Sequence, residues 1–159
     1  MTLTDHKPTG LVRALLRAPI WLYRLGLGRL AGHRFVYIDH RGRRTGKRRE
    51  TVVEAVRYFP AIPAAVVVAA WGKHPDWYLN LRAAPALEVR VGAQRWGHPR
   101  QRFLDSAEAL RILQDYQRAH PHAWKRLAPL LGFPADADDP RWPEAASTMK
   151  AIAFAPSPG

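Results

Sequence analysis

The chain has 159 residues, 47% of them hydrophobic, and a formal net charge of +12. That length and apolar content favour one folded domain with a single sizeable core. The lack of cysteine excludes disulfide frameworks, thiolate zinc sites and cysteine nucleophiles, and no apolar run reaches the ~20 residues of a membrane-spanning helix.

Residues 1–10 read as a loose polar tail. Leu11 to Gly32 reads as one or two basic amphipathic helices broken near Pro19, with leucines on one side and Arg13, Arg17, Arg24 and Arg29 as cations. Such a segment caps a core or lies on an anionic membrane surface. Strands are expected over Arg34 to His40, Thr51 to Phe59 and Ala64 to Ala70. The last is an apolar run with the look of a buried strand. A helix is expected over Asp76 to Ala84, started by Pro75 and ended by Pro85.

Leu87 to Val91 alternates strictly, Gly92-Ala93 turns the chain, and Gln94 to Phe103 is expected to pair back as a hairpin. Ser106 opens a helix from about Ala107 to Arg118. Another runs from Pro121 to Leu131, where Gly132 stops it. Ala135 to Pro143 reads as an acidic loop, and Ala151 to Ala155 as a short closing strand. The order of elements suggests a small β-barrel with helices packed outside, and not alternating βαβ units.

Two stretches carry chemistry. Six of the nine residues from Arg41 to Arg49 are Arg or Lys, with Gly42 and Gly46 between them. Glycines allow tight turns and bring backbone N–H groups close to a ligand. A phosphate-loop ATPase signature is excluded, because the glycine spacing is short by one and no Ser or Thr follows Lys47. A nucleic-acid patch, a holder for an anionic cofactor tail and a solvated loop stay open. The second stretch, Trp71 to Leu81, puts two indoles, a phenol and an amide around a strand-to-helix corner. That assortment suits a flat heterocycle, although Trp and Tyr also serve as core residues.

Together, Arg41-Gly42-Arg43-Arg44-Thr45-Gly46-Lys47-Arg48-Arg49 and Pro75-Asp76-Trp77-Tyr78-Leu79-Asn80-Leu81-Arg82-Ala83-Ala84-Pro85 resemble the deazaflavin-dependent nitroreductase and quinone reductase family. The resemblance covers roughly Phe35 to Val91. It implies an α+β, mainly β fold, a split β-barrel of the FMN-binding kind spanning 11–156, with N-terminal and C-terminal helices outside. It implies reduced 8-hydroxy-5-deazaflavin (coenzyme F420) as hydride donor to a small organic acceptor, quinone- or nitro-type or another electrophilic double bond. By the same resemblance, Arg43, Arg44, Thr45 and Arg49 hold the phosphate and glutamyl tail, with Gly46 and Thr51 beside them. Ala70, Trp71, Gly72, Asp76, Trp77 and Asn80 face the ring.

Two departures narrow what carries over. The Ala70 to His74 corner is shorter than the family's, and His120-Pro121-His122-Ala123-Trp124 stands where nitroimidazole-reducing members carry tyrosines. Nitroreductase activity therefore does not transfer. Tyr78 and His74 are candidate proton donors from their placement. Trp77 is expected to matter for stability and binding together, and Asn80 for binding with little effect on stability.

An FMN-dependent reductase on the same fold is the alternative, and a non-catalytic basic module for an anionic ligand, nucleic acid or membrane surface is the competitor from another class. The leading reading expects no nucleic-acid partner. It expects a cytoplasmic protein with peripheral contact to an anionic membrane at the inner face, and a homodimer. No metal site is expected: His120 and His122 are poorly spaced for a shared ion, and Asp136, Asp138 and Asp139 lack the glycine and the final glutamate of a calcium loop.

Overall fold

One long strand, β2 (Arg48–Phe59), joins two halves of a single sheet. The computed structural model describes residues 23–25, 32–69, 75–136, 138–147 and 149–158. The other strands are β1 (Phe35–Arg41), β3 (Ala64–Val68), β4 (Glu88–Val91), β5 (Gln94–Gly97), β6 (Arg100–Phe103) and β7 (Ala151–Ala155). The helices are α1 (Asp76–Ala83), α2 (Ser106–Ala119), α3 (Pro121–Leu131) and α4 (Trp142–Ser147). The strand order is β5-β4-β1-β2-β3-β7-β6, and every pairing is antiparallel.

The sheet curls into a half-barrel because β2 serves two partners. Its first part pairs with β1 and its second part with β3, and the register slips between Ala55 and Arg57. A bulge of this kind bends a strand and raises its twist. It also turns Val56 and Arg57 to the same outer side. Val56 packs in the outer core, and Arg57 donates to Asp115 of α2 at 3.1 Å.

The apolar run of β3 is explained by burial on both faces. Ala65 and Val67 join the inner core with Val36, Ile38, Val89, Val91 and Phe154, while Val66 and Val68 join the outer core with Leu113, Tyr116, Trp124 and Trp142. Burying one such aliphatic side chain contributes about 1.5–3 kcal/mol. Helices α2, α3 and α4 cover the outer face. Helix α1 instead sends Tyr78 and Leu81 into the inner core.

Several local expectations are corrected. Gln94 to Phe103 is two strands. The chain breaks at His98, whose φ is +45°, and at Pro99; β5 then pairs with β4, and β6 crosses to β7. Asp105, not Ser106, caps α2, its side chain accepting from the Glu108 N–H at 2.9 Å. A carboxylate there also complements the helix dipole. The end of the acidic loop is helical, since α4 starts at Trp142, which stacks on Trp124 at 5.1 Å between ring centroids. Strand β2 begins at Arg48, so Arg41, Arg48 and Arg49 belong to the ladder.

Of the N-terminal helical expectation, Tyr23 to Leu25 and Gly32 fall within the described residues, and the rest of it, like the 1–10 tail, lies outside them. Tyr23 is buried, stacks on Tyr37 and donates to the Phe35 carbonyl at 2.8 Å. No helix among the described residues is long and apolar enough to cross a membrane.

Candidate cofactor site

The link between β1 and β2 is a tight, hydrogen-bonded turn. The Gly42 N–H donates to the Lys47 carbonyl, and the Gly46 N–H donates to the Gly42 carbonyl, both at 2.8 Å. Gly46 holds φ +68°, the left-handed region that suits glycine. The Thr45 hydroxyl accepts from the Lys47 N–H at 3.3 Å. A Cβ on Gly42 would stand 2.9 Å from that hydroxyl oxygen, so the turn closes on a residue without a side chain.

Helix α1 packs against this turn. Pro75 sits in an extended conformation as its N-cap, which fits a residue that cannot donate. Asp76 and Asn80 are four residues apart and share one face of the helix. Both meet Arg43. Asn80 Oδ1 accepts from the Arg43 backbone N–H at 3.0 Å and from Arg43 Nη1 at 2.9 Å, and Asp76 Oδ1 pairs with Arg43 Nη2 at 3.3 Å. Arg43 thus clamps the turn to the helix.

Behind the clamp lie buried polar groups. Asn80 is 6% exposed and His40 3%. Asn80 Nδ2 donates to His40 Nδ1 at 3.3 Å. Burial pushes the His40 imidazole down to about 4, with Asp39 opposing the shift and Arg49 adding to it. Asp39, also buried, accepts from the guanidinium of Arg48.

In the β1–β2 register Arg49 stands opposite His40, and Thr51 opposite Ile38. Arg44, Lys47 and Arg49 are exposed, and their side chains form no ion pair among the described residues. The turn therefore carries three exposed cations that form no ion pair among the described residues, an arrangement that suits a polyanionic ligand.

The structure brings Arg43, Asp76 and Asn80 into direct contact and puts Arg44, Thr45 and Gly46 in the adjoining turn. Trp77 is half-buried and packs against the inner core. Tyr78 is a core residue, its ring edge-on to Phe103 at 5.6 Å. Ala70, Trp71, Gly72 and His74 lie outside the described residues. Against the expectation that Asn80 bears little on stability, its side chain is buried and shared between Arg43 and His40. His40, Asp39 and Arg48 were missed. One signal was available: His40 continues the inward alternation of Val36 and Ile38. No group of three metal-ligating side chains occurs among the described residues.

The described residues form a mainly β half-barrel with a cationic glycine turn packed against the start of a helix. The family model for F420H(2)-dependent quinone reductase matches residues 16–125, and the chain belongs to that family. Membership makes it an oxidoreductase and implies reduced coenzyme F420 as its cofactor. Two solved structures share the fold. An F420-H2 dependent reductase (FDR-A) has 18% identity over 77% of this chain and 95% of its own, with a TM-score of 0.50. A protein described as a domain-swapped dimer has 17% identity over 86% of this chain and 99% of its own, also at 0.50. No curated protein matches the sequence.

Proposed function

We propose that the chain reduces a quinone-type acceptor, or another electrophilic double bond, at the expense of reduced F420, and that the Gly42–Lys47 turn binds the cofactor's anionic tail. The observation that carries this reading is the set of exposed cations Arg44, Lys47 and Arg49 around that turn, which form no ion pair among the described residues. When bound, the deazaflavin supplies the hydride. The protein's part is positional: the turn binds the tail through charge-assisted hydrogen bonds, and Trp77, at the start of α1, walls the ring. No side chain need act as a nucleophile. A proton-donor role for Tyr78 or His74 is tested by Tyr78→Phe and His74→Ala.

The supporting name for the acceptor is that of the family, which specifies a quinone. The domain-swapped dimer among proteins of this fold supports a homodimer, which sedimentation equilibrium tests. The basic amphipathic segment from Leu11 to Gly32 supports peripheral contact with anionic membranes on the cytoplasmic side, which co-sedimentation with anionic vesicles tests.

The deciding experiment titrates the full chain with F420 and with FMN, then follows loss of reduced F420 on adding a soluble quinone. Binding of F420 with quinone-dependent oxidation supports the reading. Tight FMN binding with none for F420 overturns it. Binding of DNA or vesicles at physiological salt with no flavin at all points to the non-catalytic module.

A further inference from the structure

His40 ends a chain of polar contacts that runs from the inner face of β1 to the cationic turn. Its Nδ1 meets Nδ2 of Asn80, whose Oδ1 meets the backbone N–H and Nη1 of Arg43, whose Nη2 meets Asp76. His40 and Asn80 are both buried, and they come from elements forty residues apart.

The order of donors and acceptors along this chain admits one arrangement. Arg43 presents only N–H groups to Asn80, so the amide oxygen must face the turn. The amide N–H2 group then faces the barrel, where it must find an acceptor. The acceptor it meets is His40 Nδ1. A neutral imidazole offers one acceptor nitrogen and one donor nitrogen, and a protonated one offers no acceptor. Arg43 and His40 therefore hold the amide of Asn80 from its two ends, the donors of Arg43 on its oxygen and the acceptor of His40 on its N–H2 group, and Asn80 in turn holds Arg43. The two strands that feed the turn are tied in the same region: Arg49 stands opposite His40 across the ladder, and Arg48 is held by Asp39.

We propose that His40 is a positioning residue for the anionic-tail site: it locks Asn80, and through it the backbone and guanidinium of Arg43, in the orientation that presents the Gly42–Lys47 turn to the ligand. His40 does not itself touch the cofactor. The proposal rests on the assignment of that turn to the tail of F420. Without an acceptor at His40 the buried N–H2 group loses its partner, the amide is held by Arg43 alone, and the turn is held less firmly.

The test uses two substitutions in the full chain. His40→Leu keeps an apolar side chain of similar bulk and removes the acceptor. His40→Asn places a carbonyl oxygen the same number of bonds from Cβ as Nδ1. Each protein is titrated with polyglutamylated F420 and with the tail-less 8-hydroxy-5-deazaflavin, read by the chromophore's absorbance and fluorescence.

His40→Leu is expected to weaken binding of the tailed cofactor about tenfold, the size of one charge-assisted contact, while the tail-less ligand changes less than about twofold. His40→Asn should restore most of the loss. Equal losses on both ligands, or no rescue by Asn, would overturn the proposal while leaving the cofactor reading intact. Wild-type protein that binds neither ligand overturns the cofactor reading and the proposal with it. Should His40→Leu fail to fold, nitrogen-15 NMR of the wild-type imidazole decides. An unprotonated Nδ1 with the proton on Nε2 is required, and a proton on Nδ1 refutes the arrangement.

Discussion

Asp39 and Arg48 form an unequal pair: the carboxylate is 2% exposed, while the side chain of the arginine that neutralises it is 68% exposed. A buried carboxylate is thus balanced from the solvent side. Removing one partner of such a pair leaves an uncompensated charge, which harms stability more than the intact pair helps it. Arg48→Ala is expected to lower Tm by several degrees, and Asp39→Asn in that background to recover part of the loss. Calorimetry of the two single variants and the double variant measures the coupling. Strictly additive effects would show that the pair does not act as a unit.

Asn80 should behave as a structural residue as well as a site residue. Its amide satisfies two N–H groups of Arg43 and donates to His40. Asn80→Ala leaves buried polar groups without partners and should destabilise the fold by about 1–3 kcal/mol. Urea unfolding checks this. A change within about 0.3 kcal/mol would mean that water replaces the amide freely.

Acid should weaken the protein through His40 before it reaches the carboxylates. Burial holds the folded-state pKa at about 4, below the ordinary value of 6.5. Between those values the unfolded chain takes up a proton that the folded chain does not. Stability is therefore full above pH 6.5 and falls as pH drops towards 4, by a total on the order of 3 kcal/mol. Glu50, held below its usual 4.5 first of all by its hydrogen bond from Arg24, acts lower: its contribution is lost as pH falls below that value. His40→Asn should flatten the dependence between about pH 6.5 and about pH 4.5 in urea titrations. An unchanged slope in the variant would assign the acid sensitivity to other groups.

The cations of the turn should control affinity according to the ligand's charge. Arg44→Ala or Arg49→Ala is expected to weaken binding of polyglutamylated F420 about tenfold to a hundredfold. The tail-less deazaflavin should lose much less. Equal losses for both ligands, measured by fluorescence titration, would show that the turn does not contact the tail.

The two glycines of the turn should fail for different reasons. Gly46 has open space around its Cβ position but a φ of +68°. Gly46→Ala should therefore cost about 1 kcal/mol of strain. At Gly42 an added Cβ meets Thr45 Oγ1 at 2.9 Å. Gly42→Ala should be relieved by Thr45→Ala, whereas Gly46→Ala should not. Urea unfolding of the single and double variants separates the two, and relief of Gly46→Ala by the same second change would contradict the assignment.

Local signals were enough for much of the architecture. Alternation in Phe35–Arg41 and Glu88–Val91, the apolar Ala64–Val68 run buried on both faces, Pro75 ahead of α1 and the left-handed Gly132 after α3 all act through the pleat or helix that contains them. The arginine cluster, too, was legible as a cationic glycine turn between two strands, because charge density and glycines need no distant partner to be recognised. Tertiary structure decided the rest. Residues 94–103 divide between two ends of the sheet because β6 finds β7, far along the chain. The family resemblance marks Asn80 as a site residue, but its partners are set only when α1 folds across the half-barrel and brings Arg43 and His40 to its two ends. A buried hydrogen bond is set by where two segments meet in space, and no periodicity within either segment records the meeting.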